Sequence, residues 1–555
     1  MGCLEVVVGY VWGFGNIGDA AITPGLLTLL GRHIPGCEAT VVSERGHEKI
    51  AKYIGRHFPE CRAIADDLGA AFDRILREEG AGGLLPEGED AAEWVLDELP
   101  RMIVDDLESR GSGLLAQMRE SDLFIYNSGM ILVYGPGTLA GEDFWGYTVR
   151  RSLPLLIARE IGVSYGVYSH SFDSFDDAPG RPYFRRLLNH ADFVFCRDSN
   201  SLQYLQRLDI GPEAARFVPD STLAFSGEEE GWAERFLDRH EVGERQFLVV
   251  IPRTWLGDHI TRERIGPERG EEHMASLQEV IGTWVKRTAH PVVLGVEVED
   301  ELVNVRELVY ERLPEEVREK CVMLEEFWRP EQAASLYRRA EAVLTVELHS
   351  FLLAVAQGTP AVVWTFAESG RKIEMVRDFG LGEWLFDIDE DDAQAVADCL
   401  LEIHESQPQM RRRLEAVDDF PGFLDVEAVV FQRGAVGDAV VEAQDATARG
   451  DHRRDLVFQL GDDGVLALAY DVLVKAAHEG QAAAVLLAEG DNIHSSRRLA
   501  GIHPVDPRVE EGIDHGGHVA VGILTEQPRA AVAEHVPDAA VIRGDELLDL
   551  LRAGE

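Results

Sequence analysis

Lysine, cysteine and long apolar runs are all scarce in this 555-residue chain. The six cysteines, Cys3, Cys37, Cys61, Cys196, Cys321 and Cys399, stand apart without a C-x-x-C pair, which argues against a disulfide framework or a zinc ribbon and fits a reducing interior. No stretch approaches the ~20 apolar residues that a membrane span needs. The amino end lacks a basic region followed by an apolar stretch and a small-residue cleavage site, so a cytoplasmic chain without its own anchor is expected. Positive charge is short as well: 53 basic residues face 99 acidic ones, the net charge of -46 is spread along the chain, and nucleic acid is not an expected partner. Only six of the 53 basic residues are lysine. With acidic clusters such as 297–301, which have the pattern of helix faces, this is the composition of a salt-adapted, halophilic cytoplasm, where carboxylates hold surface water and salt screens their repulsion. An acidic, Arg-rich mesophilic protein is the alternative.

What is present is a globular composition, 45% hydrophobic and 27% charged, on a chain too long for one core. Short apolar runs at 4–10, 39–43, 122–126, 164–168 and 193–196 alternate with helical patterns, the signature of a parallel, doubly wound sheet. The Gly- and acid-rich stretch 78–93 reads as a surface insertion. A second alternating series, at 247–251, 291–296, 322–324, 342–346 and 361–364, marks a second α/β domain. The predicted organisation is an N-terminal domain over 1–230, a second over 245–405, a helical linker over 406–454 and a smaller C-terminal α/β appendage over 455–555, with strands at 456–459, 482–487, 519–524 and 539–542. Two such domains in tandem resemble the glycosyltransferase-B architecture, in which ligands sit between the carboxyl ends of facing strands.

The first strand runs into Gly13, Gly15 and Gly18 in a G-x-G-x-x-G spacing, and Glu44 ends the second strand. Such glycines let backbone N–H groups approach an anion at a helix N-terminus, and the acid could hold a ribose hydroxyl, so a nicotinamide-dependent oxidoreductase is one reading. A tight strand-to-helix turn without a ligand is another.

Gly15-Asn16-Ile17-Gly18-Asp19, followed by Ala21-Ile22 and a Leu-rich helix, resembles the G-N-x-G-D opening of the polysaccharide pyruvyl transferases. Further matches follow in order. Residues 121–125 with Asn127-Ser128-Gly129 resemble the family's strand into a triple-glycine turn, of which one glycine remains; Arg197-Asp198-Ser199 with Ser201 resembles its R-D-x-x-S step; Val218-Pro219-Asp220 matches an Asp-containing strand end. In the second domain a strand ends in Arg253, Leu348-His349-Ser350 with Gly358-Thr359-Pro360 resembles the R-L-H-S and G-x-P segment, and Lys372 falls where the family has a lysine after a strand. One departure is sharp: Glu347 stands where the family pattern has an arginine two residues before the histidine.

The resemblance implies transfer of a pyruvyl group from phosphoenolpyruvate, as donor substrate, to a saccharide hydroxyl pair in surface glycan biosynthesis, with no metal or other cofactor. That chemistry requires an acid, anion clamps and a dry cleft. His349 is the expected acid or base, since imidazole titrates near neutral pH, and Asp19 the expected base or orienter of the acceptor, an N-cap role being its alternative. Arg197 and Arg253 suit the donor's carboxylate and phosphate, Lys372 with Arg371 adds charge, and Gly15, Asn16 and Gly18 line the opposite wall. Glu347 reverses a charge beside this site, which leaves a redirected or non-catalytic relative that binds an anionic sugar as a second reading. The acceptor could be lipid-linked at a membrane surface; the oligomeric state is open. His494, His503, His515 and His518 are irregularly spaced and read as a solvated loop rather than metal ligands, and Phe144, Trp145 and Tyr147 read as core.

Overall fold

The computed structural model describes residues 4–418, apart from 12, 45, 79–84, 86–90, 135–143, 177, 212–214 and 257–264, together with 483–486, 521–524 and 541–542. The chain divides into two units, Met1–Leu424 and Asp425–Glu555.

Within the first unit the short apolar runs become parallel strands covered by helices on both faces, which is why they read as continuous rather than alternating hydrophobic stretches. The first lobe holds β1 (Glu5–Val11), β2 (Glu38–Ser43), β3 (Arg62–Ala65), β4 (Leu123–Tyr126), β5 (Tyr165–His170), β6 (Phe193–Cys196) and β7 (Arg216–Phe217), in the order β3-β2-β1-β4-β5-β6-β7. The second holds β8 (Leu248–Ile251), β9 (Val292–Leu294), β10 (Cys321–Met323), β11 (Ala342–Thr345), β12 (Ala361–Thr365) and β13 (Leu385–Asp387), in the order β10-β9-β8-β11-β12-β13. These are the two tandem doubly wound sheets expected from the sequence. In each, the strand order reverses beside the first strand, between β1 and β4 and between β8 and β11, and the crevice outside the carboxyl ends at that reversal is where such sheets bind ligands.

The helix Ile17–His33 ties the lobes together. Its Gly25 lies so close to the 3-10 turn Ser221–Ala224 that a Cβ there would stand 1.9 Å from the Ser221 carbonyl oxygen. Its first turn turns the other way: Ile17 and Ala21 are fully buried in the apolar core of the second lobe, and burying an isoleucine contributes about 1.5–3 kcal/mol. The loop before this helix is thereby held against the second lobe.

Part of the 78–93 stretch departs from a surface insertion. Residues 79–84 and 86–90 are outside the described residues, but Leu85, Ala91 and Ala92 are buried. Leu85 and Ala92 join the first lobe's core, because apolar side chains interrupt the acidic run. Trp145 packs edge-on against Tyr134 and Tyr183, as a core aromatic does.

In the second unit the described residues form a three-stranded sheet, with β14 (Ala483–Leu486) between β15 (Val521–Leu524) and β16 (Val541–Ile542), all antiparallel. The strand expected at 456–459 and the histidines at 494, 503, 515 and 518 are outside the described residues.

Candidate active site

The glycine loop after β1 is consumed by structure. Asn16 caps the helix, its Oδ1 accepting from the N–H groups of Gly18 at 2.8 Å and Asp19 at 3.0 Å. The loop also pairs with the second lobe: the Ile17 N–H donates to the Glu297 carbonyl and the Glu299 N–H donates to the Gly15 carbonyl, both at 2.9 Å. The donors at Ile17, Gly18 and Asp19 are therefore occupied rather than offered to a pyrophosphate. Glu44, the would-be ribose ligand, pairs with Arg151 at 2.9 Å, and the Arg151 guanidinium lies over the rings of Tyr10 and Tyr147. The helix-start donors and the acid that the dinucleotide reading would use are thus both committed within the protein. Gly18 is required for another reason: a Cβ on it would stand 2.0 Å from the His349 Cβ, so the glycine lets the helix start approach the histidine.

At the carboxyl edge of the first sheet, side chains that follow β4, β5, β6 and β7 form a buried polar network. Arg197, 2% exposed, donates from Nε to Ser171 Oγ and from NH1 to Asp220 Oδ2, both at 2.8 Å. Asp220, fully buried, also accepts from the Thr222 N–H at 2.8 Å, and Ser128 Oγ lies 3.0 Å from its Oδ2. Burial works against the Asp220 carboxylate, but Arg197, His349 and these donors outweigh it and hold its pKa below the usual value. The R-D-x-x-S step divides its labour: Arg197 faces the cleft, while Asp198 caps the helix Ser199–Arg207 through the Ser201 N–H and accepts from Ser171 Oγ at 2.7 Å. Where the family's extra glycines would stand, Asn127 donates to Thr23 Oγ1 at 2.9 Å and Ser128 to the Ser169 carbonyl at 2.6 Å, so both side chains are turned into the protein. His170 beneath them accepts from the Ile131 N–H at 3.1 Å, and burial with the nearby Arg197 charge pushes its pKa down to about 3: it is a neutral structural imidazole.

The second lobe supplies titratable groups. His349 opens the helix Leu348–Ala356 after β11, with its side chain 15% exposed. Its Nδ1 lies 3.5 Å from Glu297 Oε1 and 3.8 Å from Asp19 Oδ1, and its Nε2 lies 3.5 Å from Arg197 NH1. Burial disfavours the imidazolium, yet Glu297, Asp19 and Asp220 more than offset this and raise its pKa. Glu297 is held in turn by the Ser350 N–H at 2.8 Å and Oγ at 2.6 Å, and despite its burial its pKa is lowered by His349 and these donors. Asp19 is pushed the other way, up to about 6, by burial and the Glu297 charge against the pull of His349, Lys372 and Arg197.

Arg253 and Glu347 form an ion pair with each other, and Arg253 Nε lies 3.8 Å from the buried Glu301. The arginine expected to clamp an anion is thus already neutralised. Lys372 sits in the fields of Glu347, Arg197, Glu297 and Arg253, burial lowers its pKa, and among the described residues its ammonium makes no hydrogen bond or ion pair. Its neighbour Arg371 does not join it: that guanidinium pairs with Asp173 at 3.1 Å and lies over the Tyr204 ring. Asp19, Arg197, Glu297 and His349 come together directly, and Lys372 lies in their field, whereas Gly15 and Asn16 serve the loop.

Glu297 and Glu301, which read as an acidic surface cluster, are 2% and 1% exposed. They follow β9 at the carboxyl edge of a doubly wound sheet, and that position, rather than their charge, was the available signal. Asp220, quoted only as a motif match, likewise follows β7. Among the described residues no helix is long and apolar enough to cross a membrane.

Residues 16–364 match the polysaccharide pyruvyl transferase family. Among solved structures, the chain is similar to a putative UDP-N-acetylglucosamine 2-epimerase from Listeria monocytogenes, with 12% identity over 82% of this chain and 100% of that one and a TM-score of 0.45. It is also similar to the E. coli ADP-heptose lipopolysaccharide heptosyltransferase II, with 13% identity over 73% and 99% of the two chains and a TM-score of 0.39. The UDP-GlcNAc 2-epimerase from Methanocaldococcus jannaschii gives 12% identity over 72% and 91%, with a TM-score of 0.43. No curated protein matches the chain.

Proposed function

Because the chain belongs to the polysaccharide pyruvyl transferase family, we propose that it moves the pyruvyl group of phosphoenolpyruvate onto two hydroxyls of one saccharide, closing a ketal in surface glycan biosynthesis. The observation that carries this reading is His349, an imidazole whose pKa is raised by surrounding carboxylates, 3.5 Å from the Arg197 guanidinium, with Lys372 in the field of the same Glu297 and Arg197.

The donor's double bond needs a proton at its methylene carbon, and the His349 imidazolium supplies it. The neighbouring carbon becomes electrophilic and the first sugar hydroxyl bonds to it, passing its proton to a base, for which Asp19 is placed. The second hydroxyl bonds to the same carbon as the carbon–phosphate oxygen bond breaks, and its proton leaves with inorganic phosphate. Lys372 and Arg197 balance the negative charge of the donor and of the departing phosphate. This matters in a chain whose net charge of -46 repels anions.

Incubation of the full chain at high salt with phosphoenolpyruvate and nucleotide- or lipid-linked sugars tests the proposal. Phosphate release with the mass increment of a pyruvate ketal is expected, and His349→Gln should lower the rate by roughly 10²–10⁴-fold. Persistent silence across acceptors would remove the reading.

A second reading rests on the Arg253–Glu347 pair, which removes one cation from anion binding. It describes a relative redirected to another anionic sugar. A gain in phosphoenolpyruvate affinity in Glu347→Arg, with no transfer by the parent chain, would favour it.

A further inference from the structure

At the amino edge of the second sheet, opposite the candidate active site, three elements bring His290, Glu341 and His404 together. His290 stands between the helix Pro267–Thr288 and β9, Glu341 immediately precedes β11, and His404 lies in the last turn of the helix Ala393–Glu405. The Glu341 carboxylate is 3% exposed, and its two oxygens each face one imidazole: His290 Nδ1 lies 2.7 Å from Oε2 and His404 Nδ1 lies 2.5 Å from Oε1.

We infer that this cluster is a binding site for a divalent transition-metal ion of zinc type, with His290, His404 and Glu341 as ligands and a fourth position left for water. The inference is independent of the pyruvyl transfer reading.

The first argument is charge. A buried carboxylate is costly without a counter-charge in contact with it. Arg411, the cation whose field reaches Glu341, is committed elsewhere: its NH1 donates to the Gly358 carbonyl at 2.6 Å and its NH2 to the Ala340 carbonyl at 2.7 Å. A divalent ion would place positive charge in direct contact with the carboxylate, beyond what a hydrogen bond supplies.

The second is geometry. The ligand atoms of the three residues all lie within 4.8 Å of one another. A tetrahedral zinc centre with ligands at about 2.0–2.1 Å needs neighbours roughly 3.3 Å apart, so the widest pair must close by at most about 1.5 Å and the imidazole–carboxylate contacts must open by less than about 1 Å. The histidines have that freedom, being 26% and 30% exposed, whereas Glu341 is fixed by its N–H bond to the Phe247 carbonyl at 2.9 Å and by Gln407 on its own carbonyl. Two imidazoles and one carboxylate are a donor set that suits zinc and its cobalt substitute. Ligation through Nδ1 leaves each ring's remaining proton on Nε2, so no redox step or other reactant is involved. Bound there, the ion would join the ends of two helices to the start of a central strand, a structural staple whose binding energy adds to folding stability.

The test uses the full chain, stripped with chelator and titrated with Co(II) followed by visible absorption, then with Zn(II) followed by thermal melting. One saturable equivalent of tetrahedral Co(II) absorption, displaced by Zn(II), and a higher Tm with Zn(II) are expected. Because the chain has 18 histidines, the double variant His290→Asn/His404→Asn sets the background. That variant and Glu341→Gln, which keep hydrogen-bonding groups in place, should each bind at least about tenfold more weakly than the parent. Absence of a saturable equivalent in the parent chain, or equal affinity in both variants, would overturn the assignment.

Discussion

The two sheets share a strand order but carry different chemistry at their carboxyl edges. In the first lobe, Arg197, Asp220, Ser128, Ser171 and Asp198 are buried and bonded to one another, and the buried imidazole of His170 is held neutral. In the second, His349, Glu347, Arg253 and Lys372 are only partly buried, and the fields of Glu297 and Asp19 keep His349 in charge-changing range. A network such as the first lobe's, in which most donors are held by neighbouring acceptors, fixes the geometry of the guanidinium at its edge. The lesson is a division of labour in which the first lobe fixes one guanidinium and the second holds the partly buried titratable groups.

That division breaks most visibly through Asp220. Asp220→Ala leaves Arg197 buried without its counter-ion and should cost ~3–5 kcal/mol of stability, read as a lowered midpoint in chemical denaturation. Glu347→Gln, which opens the less buried pair of the second lobe, should cost only about 1 kcal/mol by the same measurement. Equal losses would mean that the lobes do not differ as described. The depressed Asp220 pKa also fixes a sign: its contribution is present above the ordinary carboxylate range and is lost as pH falls through its lowered value.

A smaller effect sharpens the contrast from the other side. Lys372→Met removes an ammonium that has no hydrogen-bond or ion-pair partner among the described residues, so stability should hardly change, while the KM for phosphoenolpyruvate should rise roughly tenfold, the order expected for one charge-assisted hydrogen bond. A loss of stability without a change in KM would assign Lys372 to the fold instead.

The sequence carried the central strands of both sheets because they are buried on both faces and so read as unbroken apolar runs. It missed β3 and β13, and found β7 only through the motif at its end, because all three lie at sheet edges and are partly exposed, so no apolar run announces them. The ordered motifs located His349, Asp19, Arg197 and Lys372. Glu297 escaped because a carboxylate beside other acids reads as surface, and only the fold turns it under the histidine. Arg253 and Glu347 each looked like a binding group alone; their pairing depends on β8 and β11 being neighbours, which no local pattern states. The His290, Glu341 and His404 cluster spans 115 positions on three elements and leaves no spacing signal.

The account stands on His349 being kept protonated by Glu297 rather than merely packed beside it. Its direct measurement is the pH dependence of kcat/KM for pyruvyl transfer in the parent chain and in Glu297→Gln, with folding of both checked by circular dichroism. The parent's alkaline limb should fall above the ordinary histidine value of about 6.5, and its acidic limb should follow Asp19 near 6. In Glu297→Gln, which removes the carboxylate that favours the imidazolium, the alkaline limb should move to lower pH. Alkaline limbs that coincide in the two proteins would contradict the assignment of His349 as the proton donor held by Glu297.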